Sequence, residues 1–271
     1  MSDAPVADRP NAGGVYDYLL GGSANTAADR SAADRALAVL PELGEAAWAN
    51  RGFLQRAVVR MAEEWGVRQF LDLGAGLPTQ RCTHEVVAER CPGGRVVYVD
   101  SDPVVVARAD ALLRDIPGAT MLRADIRDAE RVVDAPQTRE LIDFDRPVGI
   151  LLVAVTQFLP DEDDPWGLVR RYLAAVPSGS YVAISAPTGD MQSERLLETI
   201  RSTIARTTNP PIERSRVDFT RFFDGLEIVP PYPGAGPSVA HVGQWGADDP
   251  EVANDDGSRW FYAAVARKPS H

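Results

Sequence analysis

Gln69-Phe-Leu-Asp-Leu-Gly-Ala-Gly-Leu-Pro-Thr79 is the stretch that decides the fold, and Arg95-Val-Val-Tyr-Val-Asp100 follows it after a helical interval. In both stretches a short apolar run ends in an acid, which is typical of buried parallel strands. The turn Gly74-Ala75-Gly76 allows the backbone to bend tightly and to approach a ligand closely. Asp100 can accept hydrogen bonds from both hydroxyls of a ribose. The pattern predicts a nucleoside-binding α/β domain.

The residues around the turn indicate which nucleoside it binds. A dinucleotide fingerprint has a third glycine where this chain has Thr79, and Pro78 before it has no N–H to offer a phosphate. Asp72, just before the turn, would repel a phosphate but attract an ammonium group. S-adenosylmethionine has a ribose, a sulfonium and an amino group but no phosphate. The departures therefore favour S-adenosylmethionine over NAD.

Composition excludes several classes of function. The chain has 271 residues, 45% hydrophobic and 25% charged, as in an ordinary globular protein. A formal net charge of −11 argues against a nucleic-acid partner, which clustered Lys and Arg would bind. The basic residues within 201–216 are interpreted as a solvated surface.

Cysteines, histidines and acids give no metal-binding pattern. Cys82 and Cys91 have the spacing of a single helix, which fits a reducing cytoplasm better than a disulfide framework or a zinc site. The helical His84 is interpreted as structural, and the four acids at 161–164 as a solvated helix start. The chain start lacks the apolar segment of a signal peptide, and no run approaches the ~20 apolar residues of a membrane span. We therefore expect a cytoplasmic protein without a metal.

Strands and helices alternate from residue 67 onward, which predicts a parallel sheet with helices on both faces. The predicted strands are 69–73, 95–100, 120–124, 148–154, 181–186, 226–229 and 260–266. The predicted helices are 79–90, 103–115, 127–133, 165–176, 191–207 and a short one at 218–223. Seven strands, the last two adjacent in sequence, match the doubly wound, Rossmann-like sheet of class I methyltransferases. Residues 230–258, rich in Gly, Pro and Asp, are predicted to be a long surface loop.

The segment before the sheet has a different pattern. Residues 1–12 are expected to be a disordered lead-in, and 15–65 are predicted to be helical with breaks at Gly21-Gly22 and Pro41. Gly66 fits a helix C-cap. We therefore predict a helical N-terminal extension or lid over residues 1–66 and a cofactor-binding domain over 67–271.

Several motifs together resemble the actinobacterial S-adenosyl methyltransferase family, a former domain of unknown function. The resemblance covers nearly the whole chain. It rests on Val15-Tyr-Asp-Tyr-Leu-Leu-Gly-Gly22, Ala49-Asn-Arg-Gly-Phe-Leu-Gln-Arg56, the stretch at 69–79, Thr83-His-Glu-Val86, Val97-Tyr-Val-Asp-Ser-Asp-Pro103, Phe158-Leu-Pro-Asp-Glu-Asp-Asp-Pro165, Arg221-Phe-Phe-Asp-Gly-Leu-Glu227 and Trp260-Phe-Tyr262. It implies a class I methyltransferase fold and S-adenosylmethionine binding, without naming a substrate.

The resemblance also implies roles for residues after the third and fourth strands. In class I methyltransferases an acid after the third strand accepts the adenine amino group and the next apolar residue packs on the ring, which assigns these roles to Asp125 and Ile126. The alternative for Asp125 is a cap of the helix at 127. Gln157 stands where the resemblance predicts a histidine in a Leu-His-Phe context. If that histidine is a base in relatives, this chain lacks it, because glutamine cannot act as a base at neutral pH.

The remaining candidates follow from position. Asp72 is expected to contact the methionyl amino group or to cap a turn, and Ser101 to lie at the adenine edge, while Asp102 caps the helix that begins at Pro103. Ala154, Thr156 and Gln157 follow the fourth strand, at the edge where such sheets bind ligands.

Three residues before the sheet are candidates for the cover of the site. Tyr16 and Tyr18 supply aromatic surface for a lid, with Gly21-Gly22 as its hinge, and Arg51 can bind the cofactor carboxylate. Helix packing and a surface salt bridge are the alternatives.

We therefore expect an S-adenosylmethionine-dependent methyltransferase acting on a small-molecule acceptor that is neutral or cationic. Positioning and desolvation can support methyl transfer without a dedicated base. A binding or sensor protein without turnover is the alternative, kept open by Gln157. An NAD-dependent oxidoreductase is a third possibility that Pro78 and Thr79 disfavour.

Overall fold

The computed structural model describes residues 9–204 and 210–270, and its centre is one mixed sheet. The strands are β1 Gln69–Leu73, β2 Arg95–Asp100, β3 Ala119–Arg123, β4 Gly149–Val153, β5 Tyr181–Pro187, β6 Glu227–Ile228, β7 Ala240–His241 and β8 Phe261–Arg267. Their order is β3-β2-β1-β4-β5-β8-β6, with β7 also paired to β8. The predicted class I methyltransferase sheet is confirmed, with the two-residue β7 as an unpredicted eighth strand.

The first five strands are parallel, and β8 is antiparallel to β5. The carboxyl ends of the parallel strands therefore share one edge of the sheet, and β8 begins at that edge with Phe261 opposite Pro187. These strands are mostly apolar because both faces of the sheet are covered. The arrangement brings the residues after β1, β2, β3 and β4 together.

Helices cover the sheet on both sides. They are α1 Ala12–Leu19, α2 Ala27–Leu37, α3 Leu43–Glu63, α4 Thr83–Arg90, α5 Pro103–Leu113, α6 Ala129–Asp134, α7 Pro136–Leu141, α8 Pro165–Ala174, α9 Glu194–Ile204 and α10 Arg216–Thr220. The core on one face includes α3, α4 and α5, and the core on the other includes α6 and α8. Alternate strand residues supply the two cores, as Phe70 does for the first and Leu71 for the second.

The predicted helical segment before the sheet is confirmed as three helices. The breaks fall between α1 and α2, at Gly21-Gly22, and between α2 and α3, at Pro41. Gly66 has a φ of +68°, as predicted for a C-cap. The buried face of α3, with Phe53, Val58 and Met61 fully buried, packs into the core of the sheet.

The helix after the glycine turn begins four residues later than predicted. Gln80 and Arg81 have φ values of +55° and +54°, which a helix cannot include. Cys82 is the N-cap of α4, and its backbone N–H donates to Glu85 at 2.8 Å. Proline favours a first helical turn, but here the left-handed residues after Pro78 override that preference.

The segment 230–258 is mostly irregular, as predicted for a loop, but it does not lie entirely on the surface. The segment contains β7, and Trp245 within it is fully buried, with its ring edge-to-face on Phe53 at a centroid distance of 5.4 Å. Arg56 on α3 donates to the Trp245 carbonyl at 2.7 Å and to the Val242 carbonyl at 2.7 Å. The guanidinium thus satisfies backbone carbonyls that burial would otherwise leave unpaired.

Other differences concern the ends of elements. The helix predicted at 127–133 is α6, two residues later, and α7 was not predicted. The helix predicted at 191–207 is α9, and the predicted residues 205–207 lie outside the described ones. So do residues 1–8 of the expected lead-in, and His271. No helix of the described chain is long and apolar enough to cross a membrane.

Candidate functional site

The glycine turn after β1 has the backbone conformation that its sequence predicts. Gly74 and Gly76 have φ values of +67° and +64°, which side chains rarely tolerate. The N–H groups of Gly74 and Ala75 donate to the Val99 carbonyl at 2.8 and 3.1 Å and so fix the turn against β2. The Val155 side chain occupies the place that a Cβ on Gly74 would take, so the turn also packs on the loop after β4.

Asp100 lies at the end of β2 and its carboxylate holds two backbone segments. Its Oδ2 accepts from the Gly76 N–H at 3.0 Å and its Oδ1 from the Asp102 N–H at 2.9 Å. Burial raises the pKa of this carboxyl. Asp102 caps α5 by accepting from Val104 at 2.7 Å, as predicted, and Ser101 between the two acids is exposed.

Asp72 is a buried acid at the end of β1. Its Oδ2 accepts from the Thr83 hydroxyl at 2.6 Å, at the start of α4. Burial raises the pKa of Asp72 to about 6, against the opposing effects of the Thr83 hydrogen bond and the Arg51 charge. This bond is to a side chain and not to a backbone N–H, and the N-cap of α4 is Cys82.

Arg51 faces Asp72 and Tyr16 from α3. Its side chain is buried, and its guanidinium lies over the Tyr16 ring at 5.5 Å from the centroid. Among the described residues its Nε has no hydrogen-bond partner. The predicted alternative, a surface salt bridge, is wrong because the side chain is not on the surface. A buried cation with an unused donor is suited to a carboxylate ligand.

The loop after β3 has an arrangement that was not predicted. Asp125 pairs with Arg127, at 2.6 Å between Oδ2 and Nη2, and this pairing lowers the pKa of Asp125. Arg127 also pairs with Asp163 at 2.9 Å. The predicted alternative of a helix cap is wrong, since Asp128 caps α6. Ile126 is buried, next to this ion pair.

The loop after β4 is strained and tightly bonded. Ala154 has a φ of +53°, a conformation that costs energy for a residue with a Cβ. Its N–H donates to the Ser185 hydroxyl at 3.0 Å and its carbonyl accepts from Gln157 Nε2 at 2.8 Å. Gln157 Oε1 and Thr156 Oγ1 are buried without a partner in the described part of the chain.

The first helix lies on the glycine turn. A Cβ on Gly13 would lie 3.1 Å from the Gly76 Cα, so the two backbones are in close contact. The buried Asp17 accepts from the Thr79 hydroxyl at 2.6 Å. The Tyr16 hydroxyl accepts from Asn50 at 2.8 Å, and burial raises the pKa of Tyr16, so the phenol stays neutral.

Tyr18 has a different position from Tyr16. Its hydroxyl donates to Asp34 on α2 at 3.1 Å and is exposed, so it joins α1 to α2 and lies outside the site. We call α1 and α2 together the cover. The sequence reasoning missed Asp17 and Ser185. A serine within an apolar strand and an acid within a short helix were the only signals.

The remaining polar candidates have structural partners. The His84 backbone N–H donates to the Tyr98 hydroxyl at 2.7 Å, and Cys82 Sγ lies 3.2 Å from His84 Nδ1. His241, which had no evident partner in the sequence, stacks on Tyr262 at 5.2 Å and lies 3.0 Å from Asn254.

Three of the four acids at 161–164 have a structural role. Asp161 pairs with Arg214 at 2.7 Å, Asp163 pairs with Arg127, and Asp164 caps α8. Arg214 is buried between Trp166 and Phe222, so the interpretation of 201–216 as a solvated surface is wrong at this residue.

A family model described as S-adenosyl methyltransferase matches residues 3–269. A DUF574 family protein of Streptomyces avermitilis is 36% identical, with a TM-score of 0.87, over 97% of this chain and 99% of that one. A proposed methyltransferase of Thermobifida fusca is also 36% identical, with a TM-score of 0.87, over 97% of this chain and 96% of that one.

A more distant structure has the same fold. It is the N-methyltransferase NodS of Bradyrhizobium japonicum in complex with S-adenosyl-L-homocysteine, at 12% identity and a TM-score of 0.50, over 80% of this chain and 86% of that one. No curated protein matches the chain.

Proposed function

We propose that this chain, which belongs to the S-adenosyl methyltransferase family, methylates a small-molecule acceptor at the carboxyl edge of its sheet. It is an S-adenosylmethionine-dependent methyltransferase by family and by fold. The site assignment rests on the hydrogen bond from the Gly76 N–H to the Asp100 carboxylate. It joins a left-handed glycine turn to a half-buried carboxylate at the end of the next strand, where a ribose can bind.

The residues around the turn fit the parts of the cofactor. Asp100 would accept from the ribose hydroxyls, and the backbone of Gly74, Ala75 and Gly76 would lie along the cofactor. Asp72 would accept from the amino group with the oxygen that Thr83 does not hold, and Arg51 would bind the carboxylate with its free donor. The negative charge of Asp72 and the positive charge of Arg51 are thus complementary to the amino and carboxylate groups at the methionyl end of the cofactor.

The adenine would lie between the ends of β2 and β3. Ser101 and Ile126 would contact its edge and its ring. Asp125 would accept from the adenine amino group in place of one of its bonds to Arg127, because each of its oxygens already accepts two bonds from that residue. Arg127 therefore acts as a positioning group for Asp125 in this proposal.

The acceptor would bind at the end of β4, beside Ala154, Thr156 and Gln157. When bound, S-adenosylmethionine supplies a methyl group on a positively charged sulfur. The chain orients the nucleophile and excludes water, with Tyr16 and the cover closing the site. Gln157 Oε1 is a buried acceptor atom that can orient an N–H or O–H group, but it cannot take up the proton.

The covered site supports a small acceptor, and the net charge of −11 supports a neutral or cationic one rather than a nucleic acid. Cys82 and Cys91 are both free, in keeping with the cytoplasm. No contact among the described residues favours the alternative of binding without turnover.

Calorimetric titration with S-adenosylmethionine, S-adenosylhomocysteine and NAD tests the site. We expect micromolar binding of the two sulfur compounds, no binding of NAD, and a loss of at least about tenfold in affinity in Asp100→Ala, since a charge-assisted hydrogen bond to a hydroxyl is removed. Asp110→Ala is the control, because Asp110 is an exposed acid on α5. Unchanged affinity in a folded Asp100→Ala protein would show that the ribose binds elsewhere.

A further inference from the structure

A chain of hydrogen bonds connects α1 to the end of β4 across the interior of the protein. Tyr16 on α1 contacts Asn50 on α3, Asn50 contacts Ser185 on β5, and Ser185 contacts the backbone of Ala154. Asn50 and Ser185 are both fully buried. We call these four residues the latch chain.

Each hydrogen bond of the latch chain has a defined donor and a defined acceptor. The Ala154 N–H donates to the Ser185 hydroxyl at 3.0 Å, and that hydroxyl donates to Asn50 Oδ1 at 2.5 Å. Asn50 Nδ2 donates to the Tyr16 hydroxyl at 2.8 Å, and this hydroxyl donates to the Ala47 carbonyl at 3.1 Å. Loss of the Tyr16 hydroxyl or of the Ser185 hydroxyl leaves one polar group of the buried Asn50 amide without that partner, whereas the Ala154 N–H also donates to the Ser185 carbonyl at 3.2 Å.

The other contacts of α1 include the glycine turn, through Gly13 on Gly76 and through Asp17 on Thr79. The glycine turn itself packs on Val155, next to Ala154. The latch chain and these contacts thus connect α1 to both loops of the proposed cofactor site, the one after β1 and the one after β4.

We propose that Asn50 and Ser185 are positioning residues that transmit the closure of α1, through Tyr16, to the strained Ala154 at the acceptor side of the site. This proposal rests on the cofactor site assigned above. The latch chain holds the cover closed and fixes Ala154 with the same set of bonds. Closure of the site and the conformation of the loop after β4 are thus coupled.

The latch bonds do not involve the cofactor, so they are present in the closed protein with or without it. Breaking the chain makes opening easier in both forms. Association and dissociation rates should then rise together, while their ratio, the Kd, changes little. Loss of one neutral hydrogen bond corresponds to about fivefold in the opening equilibrium.

Stopped-flow tryptophan fluorescence with S-adenosylhomocysteine measures both rates in the full-length protein. In Tyr16→Phe, which keeps the ring over Arg51, we expect both rates to rise about fivefold and the Kd to change by less than about twofold. Tyr18→Phe is the matched control, because it removes a hydroxyl bond from the same helix, within the cover and away from the latch chain. Its rates should equal those of the wild type.

Ser185→Ala breaks the chain at its other end and should give the same rate increase. If the bonds act as one unit, the double variant Tyr16→Phe/Ser185→Ala should be about as fast as either single variant, whereas independent effects would multiply. If the rate increases of the two single variants multiply in the double variant, the proposed coupling through Asn50 is wrong.

Two other results would contradict the proposal. A lower Tm in Tyr16→Phe with unchanged rates would make the chain only a packing feature. A faster dissociation with unchanged association would make Tyr16 a direct cofactor contact. If the wild type does not bind S-adenosylhomocysteine, both this inference and the assigned cofactor site fall, while unchanged rates in a binding protein overturn the inference alone.

Discussion

Asp72, which we propose to bind the cofactor, illustrates how a functional role can oppose stability. Its carboxyl is buried, with Thr83 holding one oxygen and Arg51 as the nearby cation. Burial raises its pKa from 3.8 to about 6. A cofactor ammonium group would favour the ionised form of Asp72. The free energy that it costs to bury this charge in the free protein is therefore recovered on binding.

Asp72→Asn should weaken S-adenosylmethionine binding and stabilise the free protein. Because the folded pKa of Asp72 is raised, its protonated form stabilises the fold fully below about pH 3.8 and this stability is lost as the pH rises through about 6. Asparagine is neutral throughout, so the variant should gain at most about 3 kcal/mol at pH 8. Thermal unfolding at pH 5 and 8 checks this, since the gain at pH 5 should be about half of the gain at pH 8.

The cofactor affinity should show the matching pH dependence. Asp72 must be ionised to bind an ammonium group, so the Kd of the wild type should be about tenfold weaker at pH 5 than at pH 8. Asp72→Asn should bind weakly at both values. A pH dependence that persists in the variant would assign it to another group, of which Asp100 is the nearest with a raised pKa.

At the scale of elements, the contact between α3 and residues 240–260 is the least expected. Trp245 packs edge-to-face on Phe53, and Arg56 holds the backbone of the segment. The sequence of this segment is rich in turn formers, which predicts a loop. One buried aromatic side chain and one guanidinium make it part of the core instead.

Trp245→Ala should destabilise the protein by roughly 3–5 kcal/mol, because it empties a fully buried site on α3. Trp48→Ala is the control, since Trp48 is a residue of α3 itself and has 50% of its surface exposed. We expect that variant to stay within about 0.5 kcal/mol of the wild type. Equal effects of the two changes in urea unfolding would contradict the packing described here.

At the scale of the whole molecule, the N-terminal helices divide into two parts. The boundary predicted after residue 66 groups α3 with the extension, but α3 packs into the core with Phe53, Val58 and Met61. The cover buries far less, with Leu20 and Ala33 as its main fully buried residues. We therefore propose that the separable part ends near residue 41.

Deletion of residues 1–41 should leave a protein that unfolds cooperatively, while deletion of 1–66 should not. The shorter deletion removes the cover, whereas the longer deletion also removes α3, which contributes side chains to the core. The shorter deletion should release S-adenosylhomocysteine faster than Tyr16→Phe does. Calorimetric unfolding and stopped-flow dissociation measure the two effects, and slow release after the shorter deletion would contradict a covering role.

The sequence by itself determined the sheet, its cofactor and the residues at the ends of its first strands. Apolar runs, glycines at left-handed positions and the Asp102 cap are local features, so each can be recognised from a few neighbouring residues. The tertiary structure decided which polar groups become buried partners. Asn50 and Ser185 are 135 positions apart, and their bond exists only because α3 packs on β5. Burial of Trp245 and Arg214, and the pairing of Arg127 with Asp163, likewise depend on packing between distant segments, which no local pattern encodes.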